Sequence, residues 1–129
     1  MTPRATRDLR DRLLHALREA RPDIQFDSGE AESDGESYYV ILWSMPQWVW
    51  DTQRKRWRSR AKPSWLHGIR IHPDGQMIQY SREFQARPRQ PTGRERPDRF
   101  IQRTFTDVDA LLDRVAVILA DGNPEDSTP

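Results

Sequence analysis

Residues 38–43, Tyr-Tyr-Val-Ile-Leu-Trp, are apolar at every position and rich in β-branched and aromatic side chains. Alternate side chains of a strand point to opposite sides, so such a run suits a central strand with both faces covered. The rest of the chain has to be arranged around it. Ser44-Met45-Pro46 breaks the run, because proline has no N–H to donate to a central ladder. Gln47-Trp48-Val49-Trp50 then resumes extended structure, with both indoles on one face.

A hairpin is expected further along. Trp65–His72 and Gln76–Phe84 alternate, with Trp65, Ile69 and Ile71 on one parity and Ile78, Tyr80 and Phe84 on one parity after the turn. Between them His72-Pro73-Asp74-Gly75 has proline and glycine where a type I turn favours them. Phe100–Phe105 fits one more strand.

Helices are predicted at both ends. Thr2-Pro3 supplies an N-cap and a first-turn proline, Leu9, Leu13, Ala16, Leu17 and Ala20 follow at helical spacing, and Arg21-Pro22 stops the run. His15 lies on this helix among leucines and is expected to be partly buried. Thr106 is read as the cap of the second helix, with Asp107 and Asp109 in its first turn, where the macrodipole favours anions. Val108, Leu111, Leu112, Val115, Ile118 and Leu119 form its apolar stripe, and Gly122 and Pro124 end it.

Between these elements Ile24 and Phe26 suit a short extended arm. Residues 27–36 (DSGEAESDGE) carry no basic side chain and two glycines, and are expected to form a solvated acidic loop. Residues 85–98 (QARPRQPTGRERPD) are read as a basic Pro/Arg-rich loop, and 123–129 as a disordered tail. The expected fold is therefore α+β. One domain over 1–122 holds an antiparallel sheet of about four to five strands, flanked by an N-terminal and a C-terminal helix in the order α-β-β-β-β-α. Type III secretion chaperones and several bacterial immunity proteins share this outline, and no motif selects among such groups.

Composition excludes several function classes. Charged residues make up 32% of the 129 and hydrophobic ones only 35%, so several segments must lie outside the core. The absence of cysteine excludes disulfides and thiolate zinc sites. No stretch approaches the roughly 20 apolar residues of a membrane span, and the first twenty residues lack the apolar run of a signal peptide; a cytoplasmic location is expected. The acidic segment lacks the glycine and glutamate spacing of a calcium loop, and His67 and His72 are five apart on a strand, facing opposite ways. No metal site or cofactor is expected. With no nucleophile elbow and no glycine-rich phosphate loop, no enzymatic activity is expected either.

The net charge of +1 conceals strong segregation. Residues 1–36 hold six basic and nine acidic side chains (net −3), 51–103 fourteen and five (net +9), and 104–129 one and six (net −5). All five tryptophans, Trp43, Trp48, Trp50, Trp57 and Trp65, fall in one window of 23 residues that overlaps the basic segment. Trp43 ends an apolar strand and is assigned to the core. Trp57, flanked by Arg56 and Arg58, suits solvent best.

Aromatic and guanidinium groups together make good contact anchors. The expected partner-binding residues are Trp48, Trp50, Arg54, Lys55, Arg56, Trp57, Arg58, Arg60 and Lys62, extended by the loop residues Arg87, Arg89, Arg94 and Arg96. The expected function is that of a small non-enzymatic binding protein, chaperone-, immunity- or inhibitor-like. It would engage an acidic protein partner through a Trp/Arg-rich sheet edge. The alternative is nucleic-acid binding without sequence specificity, with the basic side chains on phosphates and Trp57 stacked on an unpaired base.

Overall fold

Helix α1 (Pro3–Ala20) begins where its capping chemistry demands: the Thr2 side chain accepts a hydrogen bond from Ala5 N at 3.1 Å, and proline occupies the first turn. In this computed structural model, which describes residues 2–45, 48–59, 64–84, 99–122 and 124, seven strands follow. They are β1 (Asp27–Ser33), β2 (Glu36–Ser44), β3 (Trp48–Asp51), β4 (Arg56–Ser59), β5 (Ser64–Ile71), β6 (Met77–Phe84) and β7 (Phe100–Phe105). Helix α2 (Val108–Asp121) closes the order. Its N-cap is Asp107, which accepts from Asp109 N, one residue later than the sequence suggests for Thr106; Gly122 ends it as expected.

The α+β expectation is borne out. The main sheet is antiparallel throughout, in the order β1-β2-β5-β6-β7, and β3 and β4 form a separate two-stranded hairpin between β2 and β5. Both helices lie on one face of the main sheet. Leu13, Leu14 and Leu17 of α1 and Leu111, Val115 and Leu119 of α2 share a core with Ile41, Trp43, Ile69, Ile71 and Met77, and Ile24 and Phe26 join it from the α1–β1 connection. His15 is exposed and pairs with Glu19 at 3.3 Å, so it is not the partly buried residue its leucine neighbours suggest.

Residues 27–36 do not form an acidic loop. They contribute strand β1 and a turn, with Ser33 paired to Glu36 across Asp34-Gly35. Both turn residues have positive φ, 56° and 77°, as the two-residue hairpin turn that matches strand twist requires, and Asp-Gly is a favoured sequence for it. The apolar strand β2 supplies a complete backbone ladder, so β1 pairs with it without needing apolar side chains of its own. Its acidic groups then sit on an exposed edge, where charge opposes edge-to-edge association.

The β5–β6 hairpin forms where expected, with Gly75 N donating to the His72 carbonyl at 3.0 Å. The face it presents to the helices was not legible. Ile71 pairs with Met77, Ile69 with Gln79, His67 with Ser81 and Trp65 with Glu83. Because cross-strand partners share a face, the buried side of β6 carries Met77, Gln79, Ser81 and Glu83, all 0–1% exposed. Ile78 and Tyr80 go to the open side, where the Tyr80 ring lies flat over Gly68. A Cβ at Gly68 would come within 2.2 Å of that ring.

Pro124 is buried and its carbonyl accepts from Arg114 Nη2 at 2.8 Å, so this residue is part of the fold and not of a disordered tail. The basic segment 85–98 and residues 123 and 125–129 lie outside the described residues.

In α2, Leu111 is fully buried while Leu112 is only partly so. Leu111→Ala should lower the unfolding free energy by about 2–5 kcal/mol, the range for a buried large-to-small change. Leu112→Ala should cost clearly less. Urea denaturation of both variants checks the order.

Candidate functional site

The tryptophan-bearing segment is a hairpin of its own, not an edge strand of the main sheet. The main-sheet edges are β1 and β7, and the β3–β4 ladder runs Trp48↔Ser59, Val49↔Arg58, Trp50↔Trp57 and Asp51↔Arg56. Four residues, Thr52-Gln53-Arg54-Lys55, close it. The Asp51 carboxylate accepts from the backbone N–H groups of Gln53 (3.0 Å) and Arg54 (3.1 Å), and Lys55 adopts a left-handed conformation with φ 51°. The tip is therefore held by local backbone bonds. Residues 52–57 are all exposed.

Trp50 and Trp57 face one another across the ladder, ring centroids 5.5 Å apart and edge to face, and remain 46% and 63% exposed. Such a pair is worth about 0.5–1.5 kcal/mol beyond its area, which helps an otherwise marginal two-stranded ribbon. Arg54, Lys55 and Arg56 are exposed at the tip. Strand alternation puts Arg56 on the ribbon face opposite Trp57, so the two are back to back and not side by side. Trp48 and Arg58 are placed by their register alone. Arg60, Lys62, Arg87, Arg89, Arg94 and Arg96, also expected at the site, lie outside the described residues. Trp43 is in the core as expected, 2% exposed, and Trp65 is buried at 8%.

A second constellation went unnoticed in the sequence. On the covered face of the sheet, His67 Nδ1 lies 2.7 Å from Ser81 Oγ, which also accepts from Gln79 Nε2 at 3.1 Å. Glu83, beside them on β6, is paired with Arg99, whose guanidinium sits 5.3 Å over the Trp65 ring. Arg114 approaches from α2, and Trp43 packs against the His67 ring at 5.6 Å. The one available signal was the alternation Gln79, Ser81, Glu83 opposite Trp65, His67 and Ile69. That signal is usable only once the hairpin register is known.

Burial drives the His67 pKa down to about 4, and the nearby Arg114 charge acts in the same direction, against a raising contribution from the Gly122 backbone. His67 is thus a neutral, buried imidazole at pH 7. A His–Ser contact of this length resembles a base–nucleophile pair. Both groups, however, are fully buried, and neither lines either of two grooves at the surface of the described residues. One of those, about 180 Å³, lies among Pro3, Thr6, Glu30, Tyr38, Tyr39 and Pro73. A second lies among Arg18, Pro22, Ile24, Gln25, Phe26 and Asp27. Among the described residues there is no group of three or more metal-ligating side chains, and no helix long and apolar enough to cross a membrane.

Comparison of the chain with known protein families, curated proteins and solved structures finds no match.

The buried imidazole has a consequence for acid stability. Between the unfolded value of 6.5 and the folded value of about 4, the unfolded chain binds the His67 proton and the folded chain does not. Stability should therefore fall as pH drops through this window, by up to about 3 kcal/mol from this group, and level off below it. Urea midpoints from pH 7.5 to 4 should decline less steeply for His67→Gln than for the wild type. Parallel declines would mean that the group does not carry this linkage.

Proposed function

We propose that the protein is a small cytoplasmic, non-enzymatic binding protein that engages an acidic surface of a protein partner through the β3–β4 hairpin. The role is chaperone-, immunity- or inhibitor-like. The observation that carries this proposal is the exposed Trp50–Trp57 pair, set on a hairpin separate from the main sheet. Leaving two indoles in water forgoes roughly 25 cal/mol for each Å² of apolar surface, which a partner would recover on docking. The ordered tip with Arg54, Lys55 and Arg56 adds positive charge that would steer an acidic partner.

Nucleic-acid binding through the same residues is the lesser reading. The edge-to-face geometry sets the edge of one indole against the face of the other, which reduces the free π-surface available to an unpaired base.

The test is the double variant Trp57→Ala with Arg56→Ala. Its melting temperature should stay near that of the wild type, since Arg56 and Trp57 are both exposed. Binding to a partner isolated with the wild-type protein should weaken by about 2 kcal/mol or more for each anchor lost. Unfolding of the variant, or undiminished capture of the same partner, would overturn the proposal. Tight binding of single-stranded oligonucleotides at low salt, lost steeply between about 50 and 200 mM, would favour the nucleic-acid reading instead.

A further inference from the structure

The face of the main sheet turned away from both helices carries an arginine set among aromatic rings. The Arg70 guanidinium lies 5.5 Å from the Tyr38 ring centroid and 5.1 Å from that of Tyr80. Tyr80 is in turn stacked with Phe100, centroids 5.8 Å apart and planes within 21°. Tyr38, Arg70, Ile78 and Tyr80 are each half-buried, and Phe100 is 50% exposed. The platform is pre-shaped, because the missing side chain of Gly68 is what lets the Tyr80 ring lie flat on the strand. Among the described residues no carboxylate lies within ion-pairing distance of Arg70.

We propose that this helix-free face is a second binding surface, on which Arg70 pairs with a carboxylate of an extended acidic peptide segment of a protein partner. The proposal is independent of the hairpin. Arg70 gives one side-chain hydrogen bond to the Tyr80 hydroxyl, and the rings of Tyr38 and Tyr80 hold the guanidinium in place; its remaining N–H groups match a carboxylate. A face with two cations among apolar groups, Arg70 and the exposed Arg82 opposite Phe100, lacks the many phosphate contacts that a nucleic-acid backbone needs along its path. It suits a segment whose acidic residues alternate with apolar ones, the latter resting on Ile78, Tyr80 and Phe100. Tyrosine and arginine are also the residue types enriched at the energetic centres of protein interfaces.

The experiment is an NMR titration of the full chain with acetyl-Glu-Phe-Glu-Leu-Glu-amide, alongside its analogue with every Glu replaced by Gln. The glutamate peptide should shift the Arg70 side-chain N–H and the Tyr38 and Tyr80 ring signals. The glutamine analogue, and the Arg70→Gln variant with the glutamate peptide, should each bind at least tenfold more weakly. Trp57→Ala should bind like the wild type. If Arg70→Gln disturbs the fold, Arg70→Lys serves, since it keeps the charge but loses the fork and should still weaken binding. No shift at this face at about 1 mM peptide would overturn the proposal. Equal response to both peptides would also overturn it. Shifts confined to the hairpin and abolished by Trp57→Ala would reject this face while leaving the hairpin proposal standing.

Discussion

The antiparallel register of β5 against β6 is the constraint from which most of the structure follows. Ile69 and Ile71 must face the helices, and the turn at Pro73-Asp74-Gly75 pairs Ile71 with Met77. A strand has a strict two-residue period, so that single pairing decides the face of every other residue on β6. Gln79, Ser81 and Glu83 are thereby driven into the interior although they are polar. An unpaired buried polar group costs about 1–3 kcal/mol, and more if it is charged. The contacts His67–Ser81, Gln79–Ser81 and Glu83–Arg99 offset part of that cost, although Gln79 Oε1 has no hydrogen-bond partner among the described residues, and Arg114 comes down from α2 beside them to reach the Pro124 carbonyl. The C-terminal end of the described chain is tied to the sheet through this polar layer as well as through leucines.

The same register has an opposite effect on the other side. Ile78 and Tyr80, turned outward, meet Tyr38 and Arg70 on a face that neither helix covers. One pairing therefore makes both the polar interior and the aromatic exterior of the sheet. The β3–β4 ribbon pairs with no strand of the main sheet. It carries its own ladder, the Asp51 turn bonds and the Trp50–Trp57 pair. A change at Trp50, Arg54, Lys55, Arg56 or Trp57 alters an exposed surface, which is the arrangement expected of residues devoted to contact.

Charge follows the same division. The acidic N-terminal third places Asp27, Glu30 and Glu32 on the exposed edge strand β1. The basic middle of the chain supplies the hairpin tip and Arg70 on the open face. A partner approaching the Trp50–Trp57 pair or the Tyr80 platform would meet cations first, while the β1 edge would repel an acidic partner. The near-zero net charge says little about association, because the two signs occupy different parts of the sheet.

Much of the architecture was legible in the sequence, because it rests on local rules. The Thr2 cap, the apolar stripe of α2, the Gly122 stop, the β5–β6 turn and the assignment of Trp43 to the core all follow from periodicity and capping chemistry over a few residues. Strand β1 was missed because its side chains are polar; what holds it is the backbone ladder to β2, and the Asp34-Gly35 turn was its one local sign. At the candidate site, the sequence identified Trp57 as an exposed indole but placed it on a sheet edge beside its arginines. The ladder instead makes a hairpin separate from the main sheet, with Trp57 opposite Trp50 and Arg56 on the reverse. The amino-acid sequence by itself determined which elements form, where they stop and which residues carry charge. Only the tertiary structure decided which face of β6 is buried and which residues meet across β3–β4. Register is a long-range pairing, and a shift of one residue leaves every local preference intact while moving each side chain to the other face of the sheet.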